Sequence, residues 1–80
     1  MFENIIPIIQ QVANDRSVPR NIRIKCEDSI KILENNKEDL AVRINTVISS
    51  MDEISNDPNI PTYTRTQIWN IVSLLESVQK

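Results

Sequence analysis

Three sets of side chains in this sequence have types suited to chemistry. The first is adjacent carboxylates, Glu27-Asp28, Glu38-Asp39 and Asp52-Glu53. General acid–base catalysis needs carboxylates pressed together and buried, so that their pKa values separate. Neighbouring residues on a helix point about 100° apart, so these pairs read as solvated charge. The second is Cys26, the one cysteine of a chain with no histidine. Those counts exclude zinc fingers, disulfide frameworks, haem attachment and any Ser-His-Asp or Cys-His triad. A di-metal bundle site would need inward glutamates and Glu-x-x-His pairs, and none is present. No cofactor is expected. The third is a basic cluster, Arg16, Arg20, Arg23 and Lys25, with Arg65 further on. Such a patch suits phosphate contact, but Glu27 and Asp28 follow it directly and the formal charge of the chain is −2. Nucleic acid is therefore an allowed partner and not the favoured one. Trp69 and Tyr63 complete the inventory, as rim of the core or as anchors for a partner, since Trp, Tyr and Arg dominate interface hot spots.

The elements that position these residues are helices. The 80 residues allow one domain, and the absence of glycine disfavours tight β-hairpins. Apolar residues recur at helical spacing: Phe2, Ile5, Ile6, Ile9, Val12 and Ala13; then Ile22, Cys26, Ile30 and Leu33; then Leu40, Ile44, Val47, Ile48, Met51 and Ile54; then Ile68, Ile71, Val72, Leu75 and Val78. The spacing predicts helices over about 2–14, 18–35, 38–55 and 60–79. Asn14 is expected as a left-handed helix end, Ser17 as an N-cap ahead of Pro19, and Asn35 with Glu38 as a capping box. Pro7 fits the first turn if the helix begins after Met1, and kinks it otherwise. Ile24 and Ile32 lie off the stripe of the second helix and form a second apolar row suited to self-association. The opening MFENIIPIIQ has no basic leader region, no apolar run spans a membrane, and a cytoplasmic setting is expected.

The chain is also internally repeated. Asn14-Asp15, Pro19, Arg23 and Leu33-Glu34 recur as Asn56-Asp57, Pro61, Arg65 and Leu75-Glu76, and Cys26 occupies the slot of Ile68. One domain, 1–80, thus consists of a hairpin of about 2–35 and a second of about 38–79. Two paired-helix units are too few for an open HEAT-like stack, so they are expected to close on each other as a four-helix bundle. A cation early in a helix is mildly unfavourable. The repeated Arg23 and Arg65 therefore call for a compensating partner, and Asp15 and Asp57 are the expected ones, each pair fastening its own turn.

The strings Ser17-Val18-Pro19-Arg20-Asn21-Ile22-Arg23 and Asp57-Pro58-Asn59-Ile60-Pro61, with Arg65-Thr66-Gln67-Ile68-Trp69, resemble an uncharacterised archaeal family of short all-helical proteins. The resemblance implies an all-α, four-helix up-and-down bundle of bromodomain-like topology. It implies no activity and no ligand. Together these observations lead to a non-enzymatic protein-interaction module, expected to self-associate, with an unidentified protein partner. Its candidate surface is Arg20, Arg23, Ile24, Ile32, Arg65 and Trp69. The alternative is a nucleic-acid- or translation-associated accessory protein using the basic start of the second helix.

Overall fold

Proline and Asx residues punctuate the chain where the helices break. The computed structural model describes residues 1–79 and contains four helices in the order α1 (Ile6–Ala13), α2 (Arg20–Glu34), α3 (Leu40–Ser55) and α4 (Thr62–Gln79). No strand occurs among the described residues. Pro7 lies in the first turn of α1, where a missing N–H costs nothing. Residues ahead of it form a hydrogen-bonded turn, with the Ile5 and Ile6 amides donating to Phe2 O, so α1 begins later than its apolar stripe and no interior kink arises.

The helix ends differ from the sequence expectation in chemistry. No non-glycine residue has positive φ among those described. Asn14 and Asn56 are instead right-handed, at φ −95°, ψ −2° and φ −88°, ψ −4°. Each helix runs on into a turn that the next Asx residue closes. Asp15 Oδ1 accepts from the Ser17 amide at 2.9 Å, and Asp57 Oδ1 from the Asn59 amide at 2.8 Å. Ser17 is therefore a member of the turn and not an N-cap; Pro19 stands at that position, with no side-chain bond. The capping box of Asn35 and Glu38 does not form either. Asn35 Oδ1 accepts from the Lys37 amide at 3.2 Å, and α3 starts later, after Asp39. A short polar side chain that bonds its own downstream amide supplies the turn that glycine would otherwise make.

Each helix packs on its sequence neighbours, and α1 packs on α4. Among the described residues, the backbones of diagonal helices do not approach each other closely. The result is a closed square, 32 by 20 by 20 Å, and not an open stack. Ile9, Val12, Ile22, Cys26, Ile44, Val47, Met51, Ile54, Ile68, Ile71 and Leu75 fill its centre. Fully burying a side chain of this size contributes about 1.5–3 kcal/mol, and this single core holds the two hairpins together.

Candidate interaction surface

The three turns that aim the surface share a construction. Arg23, Arg43 and Arg65 are each the fourth residue of their helix, and each amide makes the first helical bond, to Pro19 O, Asp39 O and Pro61 O. Each follows the Asx residue of its turn by the same interval: Asp15, Asn35 and Asp57. Arg65 Nε donates to Ser55 O at 2.9 Å and its Nη2 to Asp57 O at 2.9 Å. Arg43 Nη1 donates to Leu33 O at 2.8 Å. Leu33 and Ser55 lie at the ends of α2 and α3, where carbonyls lack intrahelical partners and a cation is favoured, and Asp57 lies in the turn that follows α3. No basic residue stands in the last turn of α3; the cation arrives from α4. The Nε of Arg23 and that of Arg43 are both buried without a hydrogen-bond partner, but Arg43 is held through Nη1, and Arg23 has no bond of that kind to a helix-end carbonyl among the described residues.

The expected partnership of Arg65 with Asp57 is made through the Asp57 carbonyl and not its carboxylate, and Arg23 acts on Asp15 only through its charge. Among the described residues, neither pair closes an ion pair. The backbone carbonyls take Arg65, and the carboxylates serve the turn amides. Arg43 was missed in the sequence because the forty-two-residue repeat compares only the first and third turns. The Asx-to-Arg spacing, present in all three, is the signal that finds it.

Asp15 also ties the two hairpins. Tyr63 OH donates to Asp15 Oδ2 at 2.6 Å, Ser17 Oγ donates to Asp15 Oδ1 at 2.7 Å, and the two hydroxyl oxygens lie 2.7 Å apart. Two hydroxyl protons serve three contacts, so two are hydrogen bonds at any moment. The Tyr63 hydroxyl first, then the Ser17 hydroxyl and amide, hold the Asp15 carboxyl below its ordinary range. At the opposite end, Phe2, Ile6, Pro7, Leu33 and Arg43 line an open groove of about 630 Å³.

The residues singled out in the sequence do not form one patch. Arg20 is exposed, while Arg23 and Arg65 are half-buried against the bundle. Lys25 turns to Glu53 on α3 at 3.3 Å, leaving Arg16 and Arg20 as the exposed cations at the start of α2. Ile32 packs on the core margin, whereas Ile24 stands outward and 44% exposed. The two isoleucines thus do not make a continuous row. Cys26 is 0% exposed, and burial, followed by the charge of Glu27, pushes its thiol up to about 11. It stays protonated and packs as a small apolar group. Among the described residues, no group of Cys, Asp or Glu is arranged to hold a metal ion, and no helix is long and apolar enough to cross a membrane.

Trp69 is not core rim. It is 58% exposed, and Tyr63 on the same helix is 54% exposed. Along α4 the exposed side chains are otherwise hydroxyls and an amide, with Glu76 the one charge among those described. On α2, six exposed residues are charged: Arg20, Lys25, Glu27, Asp28, Lys31 and Glu34. Depletion of charge around exposed aromatics is the composition of interface cores.

Closed square packing of two hairpins, with an aromatic, nearly uncharged face on α4, defines a small all-α up-and-down bundle. The chain belongs to the uncharacterised protein family UPF0147, whose model matches residues 1–78. Relatives are archaeal. A UPF0147 protein of Methanothermobacter thermautotrophicus is 52% identical over 79 residues, covering 99% of this chain and 78% of that protein. One from Sulfurisphaera tokodaii is 49% identical over 78 residues, covering 98% of this chain and 88% of that protein. The crystal structure of a UPF0147 protein from Thermoplasma acidophilum superposes with a TM-score of 0.92 at 36% identity, covering 96% of this chain and 91% of that one. A second solved chain, a protein of unknown function, gives 0.90 at 43% identity, covering 99% and 90%.

Proposed function

We propose that this protein is a non-enzymatic interaction module of the archaeal cytoplasm that binds another protein chain through the outer face of α4. The observation that carries the reading is the exposure of Trp69 on a helix almost free of surface charge. Leaving an indole in water forfeits much of the burial energy of the largest side chain, and a partner recovers it. The dispersed and exposed carboxylate pairs and the buried, protonated Cys26 support a non-catalytic role. The test is affinity capture from an archaeal lysate with the intact protein and with Trp69→Ala. The variant is expected to lose the bound partners; recovery of the same partners at the same yield would refute the role of this face.

A second reading rests on Arg16 and Arg20, the exposed cations beside the start of α2. That arrangement supports contact with nucleic-acid phosphates. Such binding would weaken steeply with salt and drop with Arg20→Ala; association indifferent to both excludes it.

A further inference from the structure

We propose that the occupant of the α4 face is a second copy of this chain, docked α4 against α4 about a two-fold axis passing near Asn70. The inference rests on the interaction reading above and adds the identity of the partner.

A two-fold interface sets one surface against itself, so groups at equal distances on either side of the axis face each other and a group on the axis meets its own copy. Like charges placed opposite each other repel, and a buried unpaired charge is costly. The α2 face would have to bury six exposed charges. The outward line of α4 is uncharged, with Glu76 on the side of Trp69 and the Asp15 carboxylate at Tyr63 as the charges nearest to it. Tyr63, Thr66, Asn70, Ser73 and Ser77 follow one another at helical spacing, all exposed and all neutral. Hydroxyls and carboxamides both donate and accept hydrogen bonds, so any of these groups can pair with any other across the axis. Asn70 on the axis is the clearest case, because two carboxamides related by a two-fold exchange reciprocal bonds.

The geometry is centred. Tyr63 and Ser77 lie symmetrically about Asn70, and Trp69 sits beside it, where anchors of an interface concentrate. Both exposed aromatics of the chain thereby fall within the contact. The available surface is also sufficient. A stable pair needs about 800 Å² from each partner; a long side of a body of 32 by 20 by 20 Å is about one fifth of its surface, and one fifth of the 4977 Å² exposed by the chain is about 1000 Å². Residues Pro7, Gln10 and Gln11, exposed on neighbouring α1, extend the neutral area.

Sedimentation equilibrium of the intact protein from micromolar to millimolar concentration tests the proposal. The expected result is a species of twice the 9.2 kDa chain mass. Asn70→Arg sets two guanidinium groups face to face on the axis and should abolish the dimer. Trp69→Ala should weaken it by about thirtyfold, the usual loss at a hot spot. Ile24→Arg, on α2, should leave it unchanged. Far-UV circular dichroism of each variant verifies that the bundle is intact. A dimer that survives Asn70→Arg, or is lost with Ile24→Arg, overturns the assignment of the face. A monomer at every concentration overturns the second copy as occupant; the lysate capture with Trp69→Ala then decides the wider interaction reading on its own evidence.

Discussion

Replacing Arg23, Arg43 and Arg65 one at a time by methionine should produce a graded loss of stability. Methionine keeps the aliphatic reach and the helix propensity and removes only the guanidinium. Arg65 donates to two carbonyls, Ser55 O and Asp57 O. Arg43 donates to one, Leu33 O, and Arg23 Nε to none. A hydrogen bond from a charged donor is worth about 1.5–3 kcal/mol, and paired losses add incompletely. The expected costs are about 2–4 kcal/mol for Arg65→Met, about 1.5–3 for Arg43→Met and about 0.5 for Arg23→Met. In a domain of this size Arg65→Met should lower the melting temperature by roughly 10–20 °C and Arg23→Met by roughly 2–4 °C. Thermal and urea unfolding followed by far-UV circular dichroism reads the series directly. Equal losses at the three positions, or the largest loss at Arg23, would refute the idea that these arginines act by satisfying the C-terminal carbonyls of the preceding helix.

Thr64 is 0% exposed and its Oγ1 has no partner, while Ile22 fills the same slot in the first hairpin; Thr64→Val should stabilise the protein by about 1 kcal/mol or more, since an unpaired buried hydroxyl costs about 1–3 kcal/mol, and a loss of stability on denaturant unfolding would contradict this. The Asp15 carboxyl is depressed first by the Tyr63 hydroxyl. Its stabilising contribution is therefore present above the unfolded carboxyl pKa of about 3.9 and is lost as pH falls through the lower folded value. An NMR titration of Tyr63→Phe should show Asp15 titrating nearer its ordinary range, and an unchanged titration would remove the proposed tie. Cys26, raised to about 11 by burial, should resist a thiol reagent in mildly alkaline buffer until the bundle is unfolded. Its contribution to stability holds below the ordinary thiol pKa of about 8.5 and disappears as pH climbs to the folded value; rapid labelling of the native protein would contradict its place in the core.

The core was legible because burial obeys the helical period: Ile44, Val47, Met51 and Ile54 form one seam in the sequence and are all buried in the bundle. The helix ends were not, because asparagine serves two geometries with the same residue type. Asn14 is expected from its type to be left-handed, yet it and its counterpart Asn56 are right-handed, and the following Asp15 and Asp57 close the turns with their own side chains. Arg43 escaped notice since its turn shares little else with the other two. The place of Trp69 depends on which neighbour shadows its side of α4, one step round from buried Ile68, and helical spacing alone does not determine that. The neutrality of the α4 face, by contrast, is written in the residue types; it is invisible only to a search that counts apolar positions.

The most direct test of the α4 face as the working surface is an amide-resolved NMR dilution series of the intact protein from millimolar to micromolar concentration. Resonances from Tyr63 to Ser77 should move with concentration, together with the single indole N–H of Trp69, while those of α2 around Ile24 stay fixed. Movement centred on α2, or a spectrum that does not change with dilution, would contradict the docking of one copy on another through α4.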